Sequence, residues 1–193
     1  MQCNYSTETL QRCDNTGTWV TLTACTGGMP LCRSNACVAS SPYDVGNSTQ
    51  LPNANTESPN YLTVQQITVN YRTSLLRFGV WGRDATHSPS VVMAIYADNG
   101  SGAPGAYVAS TSPVAITTGA VEAPVGIPTN LMPGKYWIGG IYSAQADTSW
   151  SNTSGPTAYY AMVAYPGTPN PFPAGAMMIA GYTYDYYIVV QDY

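Results

Sequence analysis

The chain has 193 residues, of which only 8% are Asp, Glu, Lys or Arg, against about 25% in a typical soluble domain. Its 16 Tyr and 4 Trp argue against a disordered chain, because disordered chains lack aromatic residues. The net charge of −4 and the single lysine, Lys135, argue against nucleic-acid binding, because phosphate contacts require clustered cations. No apolar run approaches the roughly 18 residues of a membrane-spanning helix, so we expect no membrane insertion.

The cysteines define the first predicted element, because all of them lie between Cys3 and Cys37. Their clustering predicts a disulfide-stapled module at residues 1–38, since so short a segment buries too little surface to fold alone. It also predicts an extracellular or cell-surface location. A zinc site is disfavoured, because the spacing lacks a Cys-x-x-Cys pair and the only histidine, His87, is distant. The count is odd, so we expect one thiol to be unpaired, bonded to another chain, or paired upstream of residue 1. The cysteines are Cys3, Cys13, Cys25, Cys32 and Cys37.

Residues 39–60 are dominated by Ser, Pro, Asn and Thr, which predicts a linker or an extended strap. From residue 61 to residue 193 the pattern is that of β-strands. Residues 91–96 form an apolar run that is typical of a central strand, and residues 75–81 alternate. About eight or nine such segments, separated by Gly and Pro turns, predict an all-β domain: an antiparallel two-sheet sandwich that is jelly-roll-like.

The cysteine segment resembles the short cysteine-rich modules of secreted proteins of myxobacteria and related bacteria. The resemblance implies an extracellular, non-catalytic module whose first cysteine would lie upstream of residue 1. The matching residues are Cys3, Leu10-Gln11-Arg12-Cys13, Gly17-Thr18-Trp19, Cys25, Cys32 and Cys37.

Most of residues 60–193 resemble a jelly-roll-like domain of secreted bacterial proteins. Its hallmarks are an apolar strand ending in Tyr-x-Asp, a Gly-x-Pro-Gly turn and a later strand containing Tyr-Trp-Ile. These motifs mark turns and core strands, so the resemblance implies a fold and a non-catalytic extracellular role. They are found here as Ala94-Ile-Tyr96-Ala-Asp98, Gly102-Ala-Pro-Gly105 and Tyr136-Trp137-Ile138.

Patterns for catalysis are weak. His87 lies near Asp84, Ser88 and Ser90, but no Gly-x-Ser-x-Gly motif is present, and the members of a serine triad normally come from separated positions. Two of the ten acidic residues could converge as the carboxylate pair of a glycosidase. So few acids make that the lesser hypothesis, and we expect no enzyme.

Calcium is the one cofactor that the sequence leaves open. The segment Asp98-Asn99-Gly100 offers oxygen ligands on a turn. The same residues form a turn without any ion, because Asn-Gly favours positive φ. We therefore expect no cofactor and keep calcium at Asp98 as the alternative.

Aromatic residues are the candidates for recognition, because a ring covers the apolar face of a sugar while polar groups bind its hydroxyls. Trp150 lies in a polar stretch that follows the strand ending at Tyr142. Each tryptophan could instead pack against a sheet, an interpretation that is favoured for Trp81 and left open for Trp150. The candidate ligand-binding residues are Trp150, Asp147, Asn152, Tyr142, Trp81 and Asp84.

Together these patterns favour a non-catalytic extracellular binding or adhesion domain whose partner is a glycan or a cell-surface polymer. A surface built from Ser, Thr, Asn and Tyr suits uncharged, hydroxyl-rich ligands. The alternative is a structural subunit of a self-assembling surface filament or sheath. An uncharged surface reduces the repulsion between copies, and an odd cysteine could cross-link them.

Overall fold

The computed structural model describes residues 2–4, 7, 9–13, 18–24, 31–33, 36–38, 40–83, 87–152, 155 and 157–192. These residues form two compact units, Met1–Pro42 with Gln191–Tyr193, and Tyr43–Val190. Every regular element in the described part of the chain is a β-strand. The expected all-β class is therefore confirmed. Among these residues there is no helix of the length and apolarity that crossing a bilayer requires.

The smaller unit contains a three-stranded antiparallel sheet, in the order β1-β2-β3, and a hairpin, β4-β5. In the hairpin the backbone of Cys32 lies opposite that of Cys37. Cys37 is half-buried and disulfide-bonded. Cys25 and the side chains of the other cysteines lie outside the described residues, so the stapled module and its pairing stay predictions. The strands are β1 (Gln2–Asn4), β2 (Thr9–Cys13), β3 (Trp19–Ala24), β4 (Leu31–Arg33) and β5 (Ala36–Val38).

The larger unit is built from two seven-stranded sheets whose described pairs are antiparallel. Twelve of its described strands lie in residues 61–193, more than the eight or nine expected there, because short segments also pair. The strands are β6 (Tyr43–Gly46), β7 (Asn53–Glu57), β8 (Tyr61–Val69), β9 (Thr73–Gly82), β10 (Ser90–Asp98), β11 (Pro104–Ser110), β12 (Val114–Ala115), β13 (Gly119–Leu131), β14 (Gly134–Tyr142), β15 (Ala146–Ser151), β16 (Ala158–Met162), β17 (Met177–Ile179), β18 (Thr183–Tyr184) and β19 (Tyr186–Asp192).

Sheet I has the order β11-β10-β14-β8-β16-β17, with β12 beside β10. Sheet II has the order β18-β15-β9-β19-β6, with β13 beside β9 and β7 beside β15. The segment 39–60, for which a linker or strap was expected, contributes β6 and β7 to sheet II. Pairing with β19 and β15 satisfies the backbone groups of these two polar strands, although their Asn and Asp residues have low β-propensity.

One apolar core contains residues of both sheets, an arrangement consistent with a sandwich. In β10, Val91, Met93 and Ile95 lie in this core together with Phe78 and Ile188 of sheet II. Successive side chains of a strand point to opposite faces, so every second residue of β10 faces sheet II. Burying each of these side chains stabilises the fold by about 1.5–3 kcal/mol.

A second apolar cluster, the outer cluster, lies on the other face of sheet I. The intervening residues of β10 enter it, and Phe172 from the segment between β16 and β17 packs against them. Because both faces of β10 are buried, its sequence is an unbroken apolar run. This is the run from which a central strand was predicted. The outer cluster comprises Leu62, Val64, Val92, Ala94, Tyr96, Trp137, Ile141, Ala161 and Phe172.

Candidate functional site

An open groove of about 800 Å³ lies in the larger unit and is lined by residues of both sheets. Sheet II supplies one wall from β7, β15 and β18, and sheet I supplies the other from β8, β16 and β17. Five aromatic rings line it, and we call it the aromatic groove. Its lining comprises Ala54, Asn55, Thr56, Glu57, Ser58, Tyr61, Thr63, Trp150, Tyr160, Ile179, Tyr182 and Tyr184.

Trp150 is held in the sheet II wall by strands on both sides. Its backbone lies opposite Asn53 of β7 and opposite Tyr184 of β18. The indole Nε1 donates a hydrogen bond to the carbonyl oxygen of Ala54 at 2.8 Å. The ring centroids of Trp150 and Tyr182 are 4.7 Å apart, with the planes inclined at 46°. The indole N–H is thus satisfied within the protein, which fixes the ring orientation, and the two rings form one partly exposed aromatic surface.

The sheet I wall carries a second pair of rings. The centroids of Tyr61 and Tyr160 are 6.0 Å apart, and Tyr160 lies opposite Thr63 across the ladder of β16 and β8. The Tyr160 hydroxyl donates to Sδ of Met177 at 3.1 Å. Strands β8 and β14 approach each other closely beneath this wall. A Cβ at Gly139 of β14 would lie 1.8 Å from the carbonyl oxygen of Thr63. The wall is therefore anchored on the packed centre of sheet I.

Glu57 is the carboxylate of the groove, and it is only 6% exposed. Its Oε1 accepts a hydrogen bond from Nδ2 of Asn55 at 2.8 Å, and its Oε2 accepts one from Oγ1 of Thr63 at 3.4 Å. Burial raises the pKa of Glu57 to about 7, because removal from water disfavours the ionised form, while the two hydrogen bonds act in the opposite direction. Near neutral pH this carboxyl group is thus divided between its two protonation states.

Asp185, between β18 and β19, is a second buried acid in the same unit. Its Oδ2 accepts a hydrogen bond from the backbone N–H of Ser149 at 3.1 Å, and its Oδ1 has no partner among the described residues. Burial raises the pKa of Asp185 to about 8, hydrogen bonding to Ser149 opposes the rise, and the negative charge of Glu57 adds to it. The protein therefore holds two buried acids that repel each other when both are ionised.

A pair of buried tyrosines lies close to these acids. The hydroxyl oxygens of Tyr142 and Tyr186 are 2.9 Å apart in a hydrogen bond. Burial raises the pKa of both hydroxyls, and the charges of Glu57 and Asp185 raise them further. Tyr142, a predicted ligand residue, is thus enclosed in the core, because the alternation of β14 directs its side chain inward.

The other predicted residues of the Trp150 segment lie outside the groove lining. Asp147 accepts a hydrogen bond from Oγ1 of Thr56 at 2.9 Å through its Oδ1, and it holds β15 against β7. Asn152 follows β15 and is exposed. Of this group, the structure brings only Trp150 into the groove.

Trp81, the second predicted recognition residue, has a packing environment. It lies in β9, is half-buried, and donates from Nε1 to the carbonyl oxygen of Ser48 at 2.7 Å. Its predicted neighbour Asp84 lies outside the described residues, and His87 is exposed.

The Asp98 turn is held by its own hydrogen bonds. Oδ1 accepts from the backbone N–H groups of Gly100 at 2.8 Å and Gly102 at 3.3 Å, and Oδ2 accepts from Nε1 of Trp137 at 3.0 Å. Desolvation acts to raise the pKa of Asp98, but the hydrogen bonds from Trp137 and the two glycines outweigh it and lower the pKa. The described residues contain no group of three or more His, Cys, Asp or Glu that could hold a metal ion.

Sequence reasoning missed Glu57 and the four tyrosines of the groove. Glu57 lies in a polar segment that has no strand pattern, and its burial depends on pairing with β15, far away in sequence. The available signal was the spacing of Tyr182 and Tyr184, two residues apart and therefore on one face of a strand.

Comparisons with known proteins add no identification. No protein-family model matches the sequence, and a search of the curated proteins finds no match. The resemblances to secreted bacterial modules therefore rest on the motifs alone, and the function has to be argued from the groove.

Proposed function

We propose that the larger unit is a non-catalytic, extracellular binding domain that recognises glycans in the aromatic groove. The observation that carries this proposal is the partly exposed surface of Trp150 and Tyr182, with ring centroids 4.7 Å apart, beside the polar residues Asn55 and Thr56. Aromatic faces cover the C–H face of a sugar, and neighbouring amide and hydroxyl groups bind its hydroxyls.

The dimensions of the groove support the same proposal. A volume of about 800 Å³ lies within the roughly 300–1,000 Å³ typical of small-molecule sites. The groove is open rather than enclosed, which suits an extended chain of sugars. The jelly-roll-like topology implied by the sequence resemblance belongs to this proposal as well.

One observation supports a binding role rather than hydrolysis, and a second supports an extracellular setting. Glycosidases place two carboxyl groups on opposite sides of the scissile bond, whereas Glu57 is the one carboxylate among the described lining residues. The second buried acid, Asp185, is not part of that lining. The disulfide at Cys37 favours an oxidising compartment.

A panel of neutral and charged oligosaccharides tests the proposal. We expect wild-type protein to bind at least one glycan, and we expect Trp150→Ala to weaken that binding about 10-fold or more, since truncating a central Trp costs roughly 2 kcal/mol. Trp19→Ala is the matched control, because Trp19 is 45% exposed but belongs to the smaller unit. No binding by wild-type protein, or equal losses in both variants, would refute the proposal.

Self-assembly is the second candidate, and three exposed methionines in β16 and in the edge strand β17 favour it. Met162, Met177 and Met178 are 74%, 59% and 62% exposed in β16 and β17, at the edge of sheet I. An edge strand with apolar side chains can pair with another copy. We expect assemblies that Met178→Lys disperses, measured by light scattering and electron microscopy with and without reductant. Monodisperse wild-type monomers under both conditions would eliminate this candidate.

A further inference from the structure

We propose that the aromatic groove selects glycans that carry a positively charged amino sugar, with the Glu57 carboxylate as the counter-ion of the ligand's ammonium group. This inference rests on the proposed function and names the class of glycan.

The charges of the groove are the first argument. Among its described lining residues Glu57 is acidic, none is Lys or Arg, and the aromatic side chains are neutral Tyr and Trp. Aromatic faces carry negative potential and attract cations. The groove therefore favours a cationic group, tolerates a neutral sugar and repels a uronic acid.

The environment of Glu57 is the second argument. Both of its hydrogen-bond partners, Asn55 and Thr63, are neutral side chains. A buried carboxylate is costly unless it is paired, and burial is the main cause that raises the pKa of Glu57. A ligand ammonium group in the groove would supply the missing positive charge.

The position of Glu57 is the third argument. It ends β7 in the wall that also carries Trp150, and it lines the groove together with Tyr61 and Tyr184. A sugar that stacks on Trp150 can thus present a substituent to a carboxylate in the same groove. A free amino group would be recognised there, whereas an N-acetyl group carries no charge.

Calorimetry with a matched pair of ligands tests this inference. A chitosan oligosaccharide and its fully N-acetylated counterpart of the same length differ in charge but not in backbone. At about pH 7, where amino groups are still mostly protonated and a substantial fraction of Glu57 is ionised, we expect the wild type to bind the deacetylated ligand about 10-fold more tightly, as for a charge-assisted hydrogen bond. We expect Glu57→Gln to bind the two ligands with equal affinity.

Glu122→Gln is the matched control, because it removes the same charge from an exposed carboxylate that pairs with Arg77. It should keep the preference. A second readout needs no variant. Burial raises the pKa of Glu57 to about 7, and pairing of Glu57 with the ammonium group of the ligand should lower that pKa. Binding should therefore release protons from the protein. Titrations in buffers of different ionisation enthalpy would detect this release.

Several results would overturn the inference. They are equal affinity of the wild type for both ligands, a preference that persists in Glu57→Gln, or no binding of either ligand. Displacement by choline as effective as that by glucosamine would overturn the assignment to amino sugars. Equal, Trp150-dependent affinity for the two ligands would leave the proposed glycan-binding function standing, so the two failures are distinguishable.

Discussion

Two aromatic clusters of the larger unit use the same residue types in opposite ways. In the outer cluster, Trp137 and Tyr159 pack edge to face with centroids 5.2 Å apart, and Phe172 covers Tyr96 at 5.1 Å. In the aromatic groove, Trp150 and its neighbours line open space. The difference is that the segment between β16 and β17 covers the outer cluster through Phe172. Aromatic content alone therefore does not distinguish packing residues from recognition residues.

The acids beside the two clusters differ in the same way. Asp98, next to the outer cluster, is held by Trp137 and by turn N–H groups that lower its pKa. Glu57, in the groove, has a pKa raised to about 7 by burial. Hydrogen bonds that compensate the charge mark a structural acid, and burial without an opposite charge marks a candidate site.

Removing the buried tryptophan should have the largest effect on stability. Trp137 is fully buried, so we expect Trp137→Ala to lower the free energy of unfolding by about 3–5 kcal/mol. Trp150→Ala removes a partly exposed ring and one hydrogen bond, and we expect a loss of about 1 kcal/mol. Urea unfolding followed by circular dichroism measures both. Equal losses would contradict the division into a closed and an open cluster.

The buried acids should make the protein less stable as the pH rises. In the folded state the pKa values of Glu57 and Asp185 are about 7 and about 8, whereas in the unfolded chain they are near 4.5 and 3.8. Between about pH 4 and pH 8 the folded state binds more protons than the unfolded chain. The stabilisation by the two protonated acids is therefore complete below this interval and is lost as the pH rises through it. We therefore expect the free energy of unfolding to decline steadily between about pH 4 and pH 8.

Asp185→Asn isolates that effect. The amide oxygen can still accept from the Ser149 N–H, and the group no longer ionises. Unfolding free energies between about pH 4 and pH 8 should therefore decline less steeply than in the wild type. A parallel decline in both proteins would show that Asp185 does not cause it.

The smallest expected effect concerns the structural acid. Asp98→Asn keeps an oxygen for the N–H groups of Gly100 and Gly102 but replaces the acceptor of the Trp137 indole. We expect a loss of about 1 kcal/mol, the usual value of one hydrogen bond, and no change in ligand affinity. Thermal unfolding and ligand titration check the two halves of this prediction. A drop in affinity would show that the outer cluster takes part in binding.

Elements that depend on local pattern could be predicted from the sequence. The apolar run at residues 91–96 is a central strand of sheet I, because both of its faces are buried. Trp150, a candidate because of its polar sequence context, lines the groove. Glu57 could not be found in this way, because it lies in the segment expected to be a linker and acquires its burial from β15. The sequence places Tyr142 close to Trp150, but the alternation of β14 directs the Tyr142 side chain into the core.

The most direct test of the groove uses the four indole N–H groups of the chain as reporters in a two-dimensional ¹H–¹⁵N spectrum. Single Trp variants assign the four signals, and a glycan that the protein binds is then added stepwise to the wild-type protein. We expect the signal of Trp150 to shift and that of Trp137, in the outer cluster, to stay in place. A shift of Trp137 or Trp81 with an unmoved Trp150 would contradict glycan recognition in the aromatic groove.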